Sequence, residues 1–259
     1  MTSSDNSTPL GSHPLIHKPE GVKLGIGLTS PSPELAQICA TSGFDLVLID
    51  MEHGLISIES AYRMVCAIVG TGAEPWIRVS HNDTAQIKLA LDTGATSIVV
   101  PMITTKAEAE AAVSASKYPP QGIRGWGPFR PQYHWKTTML DYARRANSET
   151  QLVALIEHPR ALENIDDILA VHGLGGAIAA PFDLAVNMGY TDGPNHPEVQ
   201  EALAYASKKI AAKGFPLVSF AVTPEQGRSA LLRGVTTLFL GFDTMFVPAA
   251  VQNYLTLLR

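Results

Sequence analysis

Eight short apolar runs recur along the chain with helix-patterned stretches between them, and this alternation limits the available folds more than any other feature. The runs are KLGIGL (23–28), DLVLID (45–50), PWIRV (75–79), SIVVPM (97–102), QLVALIE (151–157), GAIAAP (176–181), FPLVSFAV (215–222) and TTLFLGF (236–242). Between them lie PELAQICATSG, ESAYRMVCAIVGTG, DTAQIKLALDTG, KAEAEAAVSASKY, ALENIDDILAV, PEVQEALAYASKKIAAKG and TPEQGRSALLRG. Several of these close on the glycine that a left-handed helix C-cap favours. Strands apolar on both faces, alternating with helices, predict a parallel sheet covered by helices. Eight such units in about 240 residues predict an α/β protein of the (β/α)₈ TIM-barrel class. An open doubly wound sheet is the structural alternative, disfavoured because no G-x-G-x-x-G turn follows the first run.

Composition agrees with one large core. The chain has 259 residues, 46% hydrophobic and 17% charged, a size at which a barrel forms a single domain. Residues 1–20 are rich in Ser, Thr, Pro and Gly and lack an apolar signal region, so they read as a loose tail before one domain over 21–259. A net charge of −5 with scattered Lys and Arg offers no footprint for nucleic acid or an anionic membrane. No run approaches the ~20 apolar residues that cross a bilayer. The expectation is a cytoplasmic protein acting on a small molecule. Cys39 and Cys66 lack metal-ligand spacing and read as buried small hydrophobes in a reducing compartment.

A barrel places its chemistry just after the C-terminal ends of its strands. Asp50 and His53 follow the second run, Arg78 lies near the end of the third, Glu157 ends the fifth, Asp183 follows the sixth and Asp243 the eighth. His53 reads as an imidazole base oriented by Asp50, against the alternative of a structural histidine. Arg78, if it points inward, needs an anionic partner, either a protein carboxylate or one on a substrate. Glu52 is expected to face a helix or solvent and is left out of the catalytic set.

Glu157 and Asp183 end consecutive strands and should converge at the barrel mouth, where like charges require something positive between them. Two carboxylates without a His or Cys set suit Mg²⁺ or Mn²⁺, with water and substrate oxygens completing the shell; Co²⁺ is admissible and Zn²⁺ less suited. No lysine projects from a strand into the mouth, which disfavours imine chemistry and leaves metal-assisted enolate chemistry. The long segment YPPQGIRGWGPFRPQYHW, with Arg124 and Trp126, is either a lid and aldehyde pocket or a subunit contact. The last segment, FVPAAVQNYLTLLR, is amphipathic enough to need a partner surface.

Taken in order, LVLIDMEHG, WIRVSHND, IVVPMITTKAEAEAAV, YPPQGIRG, LIEHPRALENIDDI, AAPFDLAVNMGY and NHPEVQEAL resemble the HpcH/HpaI family of class II 2-oxo acid aldolases. That family includes the 4-hydroxy-2-oxoheptanedioate and 2-dehydro-3-deoxyglucarate aldolases, and the similarity runs from about residue 22 to the C-terminus. The resemblance implies a barrel of the phosphoenolpyruvate/pyruvate-binding type. It implies Glu157 and Asp183 as metal ligands, Arg78 on the carboxylate of a 2-oxo acid, and His53 with Asp50 handling protons. Ala180, Pro181, Phe182, Leu155, Arg124 and Trp126 are the implied or candidate substrate contacts. The implied reaction is reversible cleavage of a 4-hydroxy-2-oxo acid to pyruvate, or a relative such as hydroxypyruvate, and an aldehyde through a metal-stabilised enolate. Alternatives on the same site are an oxo acid decarboxylase or a CoA-thioester lyase, and last a non-catalytic metabolite-binding barrel. A homo-oligomer, trimer or hexamer, with an exchanged C-terminal helix is also implied. The chain departs from the family at Leu155, where a polar residue is common, at His158 after the metal-ligand glutamate, and at Ala180 in place of Gly.

Overall fold

The computed structural model describes residues 19–258, so residues 1–18 of the expected tail lie outside it. Eight parallel strands close into a barrel in sequence order: β1 (Lys23–Leu28), β2 (Leu46–Asp50), β3 (Glu74–Arg78), β4 (Ser97–Val100), β5 (Gln151–Ile156), β6 (Gly176–Ala179), β7 (Val218–Phe220) and β8 (Thr237–Phe242). The helices are α1 (Pro33–Thr41), α2 (Ile58–Ile68), α3 (Thr84–Asp92), α4 (Lys106–Ser116), α5 (Pro131–His134), α6 (Met139–Glu149), α7 (Pro159–Glu163), α8 (Ile165–Leu169), α9 (Pro181–Asn187), α10 (Pro197–Ala212), α11 (Pro224–Leu232) and α12 (Asp243–Leu257). The chain is a (β/α)₈ barrel, as the alternation predicted. No helix among the described residues is long and apolar enough to cross a membrane.

Period-two alternation sorts each strand into an outer and an inner row. Outward Val47, Ile49, Ile77, Ile98, Val100, Leu152, Ala154, Ile156 and Ala177 join the helices in one large core. Inward Leu46, Leu48, Val99, Val153, Leu155, Ile178 and Phe239 fill the barrel, with Trp76, Val218 and Phe220 packed against them. β1 makes room for this filling with glycine. A Cβ at Gly25 would collide with the Phe239 ring and one at Gly27 with the Phe242 ring. The register between β1 and β8 slips between Gly25 and Gly27, and Gly241, at φ 85°, lets β8 bend there.

The structure also departs from the pattern reading. ALENIDDILAV divides into α7 and α8, separated at Asn164. The short helix α9 begins directly after β6, inside the stretch read as the end of a strand. β7 shrinks to three residues and pairs with β6 only at Ile178 and Val218. Cys39 is buried, but Cys66 is exposed, contrary to its expected burial. It lies on the solvent side of α2, with Sγ 3.4 Å from His134 Nε2.

Candidate active site at the barrel mouth

The inward rows carry apolar residues through the barrel and end on polar ones. On β2 the row runs Leu46, Leu48, Asp50; on β3, Trp76, Arg78; on β5, Val153, Leu155 and, one residue past the strand, Glu157. Asp50 and Arg78 are register partners. Alternation therefore delivers an acid and a guanidinium side by side, and a second acid further out along the inward row of β5, to the mouth of the barrel.

Asp50 and Arg78 form a two-pronged ion pair, Nε to Oδ1 at 2.9 Å and Nη2 to Oδ2 at 2.6 Å. Oδ1 also accepts the backbone N–H groups of Glu52 at 3.0 Å and His53 at 3.3 Å, an Asx-type turn that fixes the DMEHG corner. Asp50 thus holds Arg78 and the turn rather than orienting the His53 imidazole, which corrects the sequence expectation. The carboxylate nearest that ring is Glu52, with Oε2 3.8 Å from His53 Nε2 and 3.1 Å from Arg78 Nη1. Glu52 was expected to face away. Its side chain is only 16% exposed, whereas that of His53 is 63% exposed. Burial pulls the Arg78 pKa down, but the hydrogen bond and charge of Asp50, then the charges of Glu52 and Glu157, hold it above the ordinary value.

Glu157 is buried, and its Oε1 accepts the backbone N–H of Met102 at 2.5 Å. Burial pushes its pKa up to about 7; the Met102 bond and Arg78 oppose the rise, and Asp183 and Glu52 add to it. Glu52 is also pushed up to about 7, first by burial, with Arg78 opposing and Asp50 and Asp183 reinforcing. Asp183 stands in the first turn of α9. Three carboxyl groups thus share a mouth with one guanidinium that Asp50 already grips.

A cavity of about 350 Å³ opens here, lined by Asp50, His53, Arg78, Leu155, Ala180, Pro181, Phe182 and Asp183 and by an apolar arc that includes Phe220 and Phe242. Leu155 and the Ala180–Phe182 segment are where the sequence placed them. Arg124 and Trp126 do not line it. The Arg124 side chain is fully buried, paired to Asp92 at 2.7 Å, with its Cζ 4.5 Å from the Tyr118 ring centroid. It ties α3 to the segment between α4 and α6 and is a structural residue. Trp126 is exposed and meets Phe129 edge-on at 6.4 Å. His158 caps α7, its Nδ1 accepting the Arg160 N–H at 3.1 Å. Asp243 clasps the β1–α1 loop, accepting from Thr29 and Ser30 at 2.8–3.0 Å. Burial opposes its ionisation, yet these bonds hold its pKa below the ordinary carboxylate value.

Among the described residues no group of three or more His, Cys, Asp or Glu is arranged to hold a metal ion. With Asp50 committed to Arg78, the oxygens of Glu157 and Asp183 are donors that could hold a cation here. The charge of Asp183 opposes ionisation of Glu157, and among the described residues no lysine or second arginine lines the cavity to offset the two acids. That donor set fits a hard divalent cation completed by water and substrate oxygens.

A closed parallel barrel carrying buried acids, an arginine and an imidazole at its C-terminal mouth has its polar groups where barrel enzymes carry their active sites. The sequence model of the HpcH/HpaI aldolase/citrate lyase family matches residues 23–250. The chain belongs to this family, whose class II aldolases use a divalent metal. It is 35% identical over 237 residues, 92% of this chain and 89% of the relative, to a 2-keto-3-deoxy-L-rhamnonate aldolase of Klebsiella pneumoniae subsp. pneumoniae. A solved HpcH/HpaI aldolase/citrate lyase family structure from Burkholderia cenocepacia J2315 superimposes with a TM-score of 0.86 at 26% identity, over 92% of this chain and 95% of the other. Citrate synthase SbnG does so at 0.81 with 27% identity, over 91% and 93%.

Proposed function

We propose that this enzyme reversibly cleaves a 4-hydroxy-2-oxo acid of the 2-keto-3-deoxy type to pyruvate, or a close relative such as hydroxypyruvate, and an aldehyde. Glu157 and Asp183 are the ligands of a divalent ion, Mg²⁺ or Mn²⁺. The observation that supports this most is the placement of Glu157, Asp183 and Arg78 around one buried mouth. The aldolase names of relatives that align along nearly the whole chain add to it.

A divalent ion bound there would supply Lewis-acid withdrawal of charge from the keto oxygen of the substrate. The protein groups do the rest. Arg78 has five N–H donors and gives two to Asp50, so N–H groups on Nη1 and Nη2 are left to hold the substrate and to meet negative charge as it develops. α9 has no side-chain cap, which leaves the Phe182 and Asp183 amides free for a carboxylate oxygen. His53 lines the cavity; it takes the proton of the 4-hydroxyl as the C3–C4 bond breaks and gives a proton to C3 of the enolate to form pyruvate, with both transfers reversed in synthesis. Leu155 and the ring of Phe242 exclude water from the reacting carbons.

The enzyme acts as a homo-oligomer. In support, α12 leaves Val247, Val251, Tyr254 and Leu257 exposed, and Leu258 just after it is exposed too, an apolar surface that a lone subunit would hold in water.

Proton NMR of pyruvate in D₂O tests the reaction. Loss of the methyl signal that depends on added Mg²⁺ or Mn²⁺ and stops with EDTA is expected. A methyl signal that persists with every divalent ion would refute it.

A further inference from the structure

The mouth cavity has two chemically different arcs. Asp50, His53, Arg78 and Asp183 form one. Phe182, Phe220, Val222, Phe242 and Met245 form the other, with Leu155 between them on the inward row of β5. We propose that the second arc receives the aldehyde half of the substrate and selects an uncharged, apolar aldehyde over one carrying a second carboxylate or a run of hydroxyls. This rests on the aldolase reading above.

Charge carries the first part. Arg78 is the only Lys or Arg among the described residues lining the cavity, and Asp50 and Glu52 already surround it at 2.6–3.1 Å. Asp183 adds a further acid to the same space. A second carboxylate on the aldehyde would be desolvated against aromatic faces with no free cation to meet it, and unpaired buried charge is strongly disfavoured.

Hydroxyl groups fare little better. Of the two lining threonines, Thr29 already donates its hydroxyl to Asp243 at 2.8 Å, leaving Thr244 as the one further side-chain hydroxyl on the wall. A polyhydroxylated chain would leave several groups unpaired against Leu155 and the phenyl rings.

The wall is built rather than incidental. Phe242 lies parallel to Phe220 at 6.1 Å, and Phe220 is stacked on Phe239 at 5.0 Å. Gly27 leaves space for the Phe242 ring that any Cβ would fill, so β1 and β8 together fix the position of that ring. A rigid apolar wall rewards each added methylene by roughly 10- to 200-fold in specificity when the fit is complete.

The test uses the full-length Mn²⁺-loaded enzyme in the synthetic direction, with pyruvate and three aldehydes: butanal, succinate semialdehyde and glyceraldehyde. Aldehyde-free exchange of the pyruvate methyl protons is followed on the same preparation. We expect kcat/KM for butanal to exceed that of each of the others by at least about tenfold. In Val222→Arg, which places a cation on the apolar arc, the ratio of succinate semialdehyde to butanal should rise by at least about tenfold. Equal or better turnover of succinate semialdehyde or glyceraldehyde by the unaltered enzyme, with exchange intact, overturns the subsite and leaves the aldolase reading standing. Failure of exchange overturns both.

Discussion

Asp50 and Arg78 face each other across β2 and β3 as register partners and close a two-pronged ion pair of 2.9 and 2.6 Å. The same carboxylate caps the turn that carries Glu52 and His53. One buried acid therefore sets the direction of the guanidinium and the shape of the corner that presents the imidazole.

Removing one partner of that pair should be costly. Asp50→Ala leaves the buried guanidinium with only the weaker contact to Glu52 at 3.1 Å and is expected to destabilise the protein by about 3 kcal/mol. Arg78→Lys retains charge but loses the fork and should lower kcat/KM for cleavage by at least about tenfold, since a bidentate arginine is poorly replaced. Urea denaturation and steady-state kinetics measure the two.

Glu52 is expected to act through His53. Glu52→Gln keeps the size of the side chain and removes the charge 3.8 Å from the ring. Its kcat for cleavage should fall at least about tenfold, approaching the 10²- to 10⁴-fold that general acid–base catalysis contributes. Mn²⁺ affinity should change by less than about threefold, because Glu52 is not one of the assigned ligands. Cleavage kinetics with Mn²⁺ titration separates these effects; an unchanged kcat would remove Glu52 from the mechanism.

The pH dependence follows from Glu52 and Glu157, both raised from 4.5 to about 7. Between these values the folded chain keeps protons that the unfolded chain has released, so these groups lower stability as pH rises from 4.5 to 7 and add no further change above it. Thermal melts in EDTA should show this decline, and Glu157→Gln should reduce it, leaving the share that belongs to Glu52. A divalent ion competes with the Glu157 proton, so apparent Mn²⁺ affinity should rise about tenfold per pH unit below 7 and level off above.

Gly27→Ala should force the Phe242 ring from its place and cost about 1–3 kcal/mol, in the range of overpacked cores. Adding Phe242→Leu should recover part of that loss. A double-mutant cycle by urea denaturation reads the coupling between β1 and β8 directly.

Much of this molecule could be read from alternation alone. β1 has the bounds its pattern gave, and Asp50, Arg78, Leu155 and Glu157 stand on inward rows because period two holds up to the strand ends. The pattern stops where the backbone turns, which is why Glu52 was misplaced: beyond Asp50 its direction depends on the Asx turn, a feature the D-x-E-H spacing could have suggested. Arg124 was misassigned because an arginine in a Gly-rich loop carries no mark of its depth, and here Tyr118 and Asp92 draw it inward. The pattern does not mark α6, which buries only Tyr142 and Ala146, too few apolar positions for a helical stripe. The apolar arc of Phe220, Val222, Phe242 and Met245 comes from segments distant in sequence and exists only once the barrel closes.

The assignment of Glu157 and Asp183 as metal ligands is tested most directly by anomalous diffraction from crystals soaked in Mn²⁺. A peak lying between the two carboxylates in the unaltered enzyme, and lost in the Glu157→Gln, Asp183→Asn double variant, is the expected result. No peak at that position, or one that survives both substitutions, would contradict it.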